Sequence, residues 1–253
     1  MSQPITDPND ERLSAYHQLR GQKADPERFV AESEGVIRRL LGSPIEVESL
    51  LATPARAERL APLLPPGVPG FTAERALLQH VVGYDLHRGC AAVARRPDLT
   101  SLPPDPATVV VAERLSDPAN LGALVRNCRA FGVDLLLIDA RGADPFTPRA
   151  IRASAGHVFD QPIAIRDEVV GCLADLGAGH QIFAATGHPE APALSTIDAG
   201  PRWVLLVGNE GTGLSEAALT AANLRVRIPL ANGVSSLNVA AATAVLLHDL
   251  RHN

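Results

Sequence analysis

Lysine is almost missing from this chain: of 23 basic residues among 253, Lys23 alone is lysine and the rest are arginine. With 28 acidic residues the net charge is −5, which excludes a blanket polybasic surface and leaves any nucleic-acid contact to a local patch. Neither half is basic: 12 basic residues face 13 acidic ones before Pro104, and 11 face 15 from there on. Arginine suits forked phosphate contacts, while a high-GC coding bias would leave the same count, so composition does not choose between the two. Cysteine is scarce as well. Cys90, Cys128 and Cys172 lack the CxxC spacing of a metal or redox site and read as small core residues in a reducing compartment, with no metal expected. No amino-terminal apolar h-region and no apolar run near the roughly 20 residues of a membrane span is present, which predicts a cytoplasmic protein without a membrane partner. Also absent are GxGxxG and a P-loop lysine, so a nucleotide gripped by its phosphates is poorly supported.

The 46% of hydrophobic residues can fill one large core or two ordinary ones, and the pattern along the chain favours two. Residues 1–28 read as a mobile start and a short helix around Leu13, Tyr16 and Leu19. Phe29 to Leu41 has Val36, Ile37, Leu40 and Leu41 at helical spacing, with Gly42 and Pro44 as the stop. Ile45 to Leu51 alternates like a half-buried strand, a helix follows from Pro54, and Thr72 is placed to cap another running to Val82. Gly89 to Ala94 reads as a buried strand, completing a small α/β domain at 29–96 whose Arg88, Arg95 and Arg96 form either a basic edge or ordinary solvated surface. The four prolines of residues 97–106 mark an interdomain linker.

From 107 to 253 strand and helix signals alternate, which argues for a mostly parallel sheet covered by helices. The strands are expected at Thr108–Ala112, Leu135–Ile138, His157–Phe159 continuing at Ile163, Ile182–Ala185, Trp203–Val207 and Val226–Ile228. Within Leu115–Gly132, Leu121, Leu124, Val125 and Cys128 form an apolar stripe, and Gly122, Arg126 and Arg129 share the flank beside it. A missing side chain one turn before two guanidinium groups suits a phosphate, although a packing glycine with two solvated arginines fits the same spacing. Two further loops leave strand ends, at Gly208–Gly213 and Ala231–Ser236, where open α/β sheets hold ligands. The last helix, from Asn238, carries two apolar stripes, Val239/Thr243/Leu246/Leu250 and Ala240/Ala244/Leu247, more than one sheet contact requires.

Together, Asn120 with Arg126, the run GNEGTGLS at Gly208–Ser215, and IPL with SLNVA at Ile228–Ala240 closely resemble the three ordered motifs of the SpoU/TrmH-type RNA 2′-O-ribose methyltransferases of the SPOUT superfamily, over about 140 residues. The RASAG run at Arg152–Gly156 is similar too, and residues 29–96 more loosely resemble the family's ribosomal-protein-like substrate-binding domain. One departure is Asn232, where relatives commonly have glycine, with Gly233 beside it.

The resemblance implies a knotted α/β fold, a deep trefoil in a mostly parallel sheet with helices on both faces, preceded by that small α/β domain. It also implies S-adenosylmethionine as cofactor, a homodimer, and RNA as substrate, ribosomal over transfer RNA. The implied catalytic residues are Asn120, Arg126, Glu210, Ser236 and Asn238. Thr186, Gly187, Leu206, Gly208, Asn209, Gly211, Ile228, Leu230 and Leu237 would hold the cofactor, and Arg129, Arg88, Arg95 and Arg96 the RNA. The competing readings are a non-catalytic RNA-binding relative, against which the five retained catalytic-type residues speak, and a dinucleotide-binding α/β enzyme, against which the missing GxGxxG speaks.

Overall fold

The computed structural model describes residues 3–17, 25–83, 89–176 and 179–252; Leu19, Lys23 and Arg88 lie outside them. The chain divides into two units, one of residues 1–97 with 146–159 and the other of 98–145 with 160–253.

The first unit is built on a five-stranded sheet of β1 (Gln3–Pro4), β2 (Arg28–Glu32), β3 (Val47–Ala52), β4 (Gly70–Thr72) and β5 (Cys90–Arg95), in the order β1-β4-β3-β5-β2. Helices α1 (Glu34–Leu41), α2 (Pro54–Leu60) and α3 (Arg75–Val82) connect the strands. Three expectations are corrected here. The described residues 3–17 are tied to the fold where a mobile start was expected: β1 pairs in parallel with β4, and Leu13 and Tyr16 are fully buried in the core with Leu51, Phe71 and Val81. Phe29–Glu32 is a strand, not the first turn of a helix, because Phe29 and Ala31 alternate into the core and pair against Ala94 and Ala92 of β5. Thr72 ends β4 and caps nothing: its carbonyl accepts from Ile5 N at 2.8 Å, and the helix begins only after Glu74. In all three, pairing with a distant strand overrides a local signal.

The second unit is a six-stranded sheet, parallel throughout: β6 (Thr108–Ala112), β7 (Leu135–Asp139), β8 (Ile163–Arg166), β9 (Gln181–Ala185), β10 (Trp203–Val207) and β11 (Leu224–Val226), ordered β11-β9-β10-β6-β7-β8. Helix α4 (Pro118–Phe131) follows β6, and Asn127 on it donates to Ala240 O at 2.7 Å. Between β7 and β8 residues 146–159, expected within the second domain, belong to the first unit; they carry α5 (Pro148–Ala153) and a 3-10 turn. That turn is His157–Phe159, expected as a strand, and it places the Phe159 ring 5.6 Å from that of Phe29. Helix α6 (Glu216–Ala221) and the long α7 (Val239–His252) complete the unit.

Buried parallel strands read as continuous apolar runs, and β6, β7 and β10 are such runs, packing Val109, Val111, Leu135, Leu137, Val204 and Leu206 into one core. β11 ends at Val226, earlier than expected, because Arg227 leaves the sheet edge to bridge Ala193. The linker at 97–106 has no helix or strand, but Leu99 O accepts from Ile165 N at 2.8 Å and Leu102 packs on this core. No helix among the described residues is long and apolar enough to cross a membrane.

Candidate active site

The carboxyl ends of β9, β10 and β11 open onto one cavity of about 510 Å³, at the edge where parallel sheets bind ligands. Its floor depends on Gly208. A Cβ there would lie 2.3 Å from Gly213 C and 2.4 Å from Leu214 N, so only glycine lets the chain fold back over the strand end. The loop is then closed by Asn209, whose backbone N donates to Gly213 O at 3.1 Å and whose carbonyl accepts from Gly213 N at 2.9 Å. Its side-chain oxygen accepts from the N–H groups of Gly211 and Thr212 at 2.9 and 3.1 Å. Gly213 supplies the left-handed turn, at φ 71°.

The end of β6 anchors this loop at both ends. Asn209 Nδ2 donates to Arg114 O at 2.8 Å, and the buried Glu113 carboxylate accepts from Ser215 N and Oγ at 2.8 and 2.6 Å. Ser215 is in turn the N-cap of α6, its hydroxyl oxygen accepting from Ala218 N. Arg114 has φ 53°, a backbone conformation rare outside glycine.

A second set of bonds joins the three motifs. Glu210 accepts from Ser116 N and Oγ, from Asp117 N, and from Asn120 Nδ2 at 2.9 Å. Asn120 Oδ1 accepts from Asn238 Nδ2 at 2.9 Å, and Asn238 Oδ1 accepts from Ala240 N at 2.9 Å as the cap of α7. The chain Glu210–Asn120–Asn238 thus links the loop after β10, the start of α4 and the start of α7. Burial pushes the Glu210 carboxyl up, but the hydrogen bonds from Asn120 and from the N–H groups of Ser116 and Asp117 outweigh it and hold the group at about 2. The start of α4 favours the same negative charge.

Of the expected residues, Asn120, Glu210, Ser236, Asn238, Thr186, Gly187, Gly208, Asn209, Ile228, Leu230 and Leu237 line the cavity. Leu206 does not: it is fully buried in the sheet core, and Val207, facing the other way, lines the cavity instead. Gly211 is outside the lining as well. Arg126 is exposed on α4, outside the lining, and its side chain makes no hydrogen bond or ion pair among the described residues. Arg129 Nε lies 3.4 Å from Asp160 Oδ2. Gly122 is buried, so it packs within the fold and does not open a flank beside the two arginines.

In the first unit, Arg95 pairs with Glu46 and Glu48, and Arg96 Nε donates to Asp25 O at 2.7 Å with its guanidinium over the Phe146 ring. At the Asn232 departure, Gly233 carries the positive φ, 85°, in a turn closed by Val234 N to Ala231 O at 3.2 Å, so Asn232 is spared the left-handed position. No group of three or more His, Cys, Asp or Glu side chains among the described residues could hold a metal. Sequence reasoning missed Glu113, Ser116 and Arg227. An acid directly after the apolar run of β6 is the one signal that pointed to any of them.

A parallel sheet with three loops bonded around a cavity at its strand ends defines an α/β protein built to hold a small ligand there. The chain belongs to the SpoU rRNA methylase family, whose sequence profile matches residues 107–248. It is 34% identical to an uncharacterized tRNA/rRNA methyltransferase of Mycobacterium bovis, over 98% of this chain and 91% of that protein. It is 28% identical to the 23S rRNA (guanosine(2553)-2′-O)-methyltransferase of Bacillus subtilis, over 88% of each. Among solved structures, the AdoMet-bound rRNA methyltransferase of Sinorhizobium meliloti matches with a TM-score of 0.84 and 25% identity, over 99% of this chain and 98% of that one.

Proposed function

We propose that this protein is an S-adenosylmethionine-dependent methyltransferase acting on a ribose 2′-hydroxyl of structured RNA, ribosomal in preference to transfer RNA. The observation that carries this reading is the bonded line Glu210–Asn120–Asn238, which ties three motifs to one cavity. The Bacillus subtilis relative, named for 2′-O-methylation of 23S rRNA, and the AdoMet-bound rRNA methyltransferase of Sinorhizobium meliloti support it.

The cavity fits the cofactor. Its volume lies within the roughly 300–1,000 Å³ usual for small-molecule sites, and its walls combine apolar side chains with the polar groups of Thr186, Asn209 and Ser236. Thr186, Gly187, Gly208, Ile228, Leu230 and Leu237 would hold the nucleoside. When bound, S-adenosylmethionine supplies an electrophilic methyl group. The protein's part is to align the acceptor. Glu210, filled with donors and ionised down to about pH 2, is no general base. Arg126, whose guanidinium has N–H donors and no acceptor, is none either; its role is to hold the phosphate next to the target and stabilise the developing alkoxide. The hydroxyl proton leaves to that phosphate or to water.

The finer architecture goes with this reading. A deep trefoil knot over the carboxyl end is supported by the order β11-β9-β10-β6, in which β10 enters between strands already laid down. The first unit is assigned as the RNA-binding domain, and the cytoplasm as the place of action. A homodimer is also proposed. Both expected stripes of α7 pack largely within the chain, since Ala240, Thr243, Leu246, Leu247 and Leu250 are buried. Among the described residues of the second unit, the exposed large hydrophobic ones are Val234, Leu237 and Val245.

The test is transfer of labelled methyl to ribosomal and transfer RNA, with the product checked for a ribose that resists alkaline cleavage. Arg126→Ala is expected to abolish transfer while leaving cofactor affinity nearly unchanged. Arg129→Ala, engaged with Asp160, is expected to weaken RNA binding modestly. Full activity in Arg126→Ala, or methyl on a base, overturns the proposal.

A further inference from the structure

Among the described residues, two charged residues line the cavity, Glu210 and Arg227. Glu210 is saturated by the donors at the start of α4. Arg227 is not saturated. Its backbone is held by Arg227 N to Pro192 O at 3.0 Å and Leu194 N to Arg227 O at 3.2 Å, and its Nε donates to Ala191 O at 2.8 Å. Those bonds fix the stem and one edge of the guanidinium. The two terminal nitrogens make no hydrogen bond and no ion pair among the described residues.

Arg227 is a half-buried residue of the cavity lining, and among the described residues no carboxylate pairs with its guanidinium, which leaves two donor nitrogens for a ligand. The acceptor that matches its fork is a carboxylate. We propose that Arg227 recognises the carboxylate of the amino-acid tail of S-adenosylmethionine, and so distinguishes the intact cofactor from tail-less adenosine thioethers. This rests on the reading of the cavity as the cofactor site. It assigns the nucleoside to the backbone and apolar walls, and the anionic end of the ligand to one side chain on the β11 edge.

The experiment is calorimetry of the full chain and of Arg227→Gln with two ligands, S-adenosylhomocysteine and 5′-methylthioadenosine, which share the nucleoside and thioether but differ in the amino-acid tail. The wild type should bind S-adenosylhomocysteine the more tightly. In Arg227→Gln that affinity should fall roughly 10- to 100-fold, the loss of a charge-assisted pair, while 5′-methylthioadenosine stays within about twofold. Retained binding of the tail-less ligand also shows that the variant's cavity is folded. Arg227→Lys should restore part of the lost affinity.

Equal loss for both ligands would mean that Arg227 only packs the β11 edge, and would overturn the assignment. Unchanged S-adenosylhomocysteine affinity with weakened RNA binding would overturn it too, making Arg227 an RNA contact. A wild type that binds neither ligand would instead sink the reading of the cavity itself.

Discussion

Gly208→Ala is the sharpest perturbation of the cofactor loop, because the obstacle to a methyl group there is backbone. Gly213 C, Leu214 N and Gly213 O lie 2.3, 2.4 and 2.5 Å from the position a Cβ would take, and no side chain can rotate away to make room. Overpacking of this kind costs about 1–3 kcal/mol when the surroundings yield, and here yielding means opening the Asn209–Gly213 loop. Since about 1.4 kcal/mol is tenfold in affinity, S-adenosylmethionine binding should weaken by roughly tenfold or more. Two neighbours calibrate the result. Gly213→Ala has open space but φ 71°, and should cost about 1–2 kcal/mol of backbone strain. At Gly211 a Cβ would meet only Asn209 Oδ1 at 3.5 Å, so Gly211→Ala should stay within about 0.5 kcal/mol and bind cofactor normally. Calorimetry with thermal melts of the three variants is the assay. Wild-type affinity in Gly208→Ala would refute the argument, and a binding defect in Gly211→Ala would place that residue in the cofactor site although it does not line the cavity.

Two further outcomes follow from buried and bonded groups. The folded Glu210 carboxyl is depressed from its ordinary 4.5 to about 2, so its contribution to stability is fully present above pH 4.5 and lost as the pH falls towards 2; denaturant melts across that window should lose this component in Glu210→Gln, and an unchanged profile would remove the carboxylate from the link between motifs. Tyr16→Phe deletes a 2.7 Å bond to Ser49 Oγ in the core of the first unit, and should cost about 1 kcal/mol; a neutral change would show that the amino-terminal stretch does not support that core.

What could be read from the sequence divides by the range of the forces involved. Strands β6, β7 and β10 were legible because a strand buried on both faces is a short apolar run bounded by turn residues, and nothing distant is needed to recognise it. Phe29–Glu32, Thr72 and His157–Phe159 were misread for the opposite reason: each takes its conformation from a partner far along the chain, as Phe29 does from Ala94. The site shows the same split. Asn120, Glu210 and Asn238 were found through the motif resemblance, but the bonds that join them span 90 and 118 residues and follow from no local pattern. Glu113 and Arg227 were missed because a lone acid or arginine has no signature until the fold sets Ser215 against one and Ala191 against the other.

The placement of Arg126 away from the cavity follows from the same framework. Asn120 touches the cofactor loop through Glu210, and Arg126 lies six residues further along α4, about 9 Å at 1.5 Å per residue. In a helix of 14 residues capped by Asp117, whatever fixes the first turn also sets where the backbone of Arg126 lies. Glu210 fixes that first turn, and Glu210 is carried by the loop that Gly208 folds over the cavity. On the proposed reading, positioning the loop and aligning an RNA phosphate would therefore be linked. A carboxylate used in this way has to stay ionised and fully bonded, and that is incompatible with taking the proton of a 2′-hydroxyl.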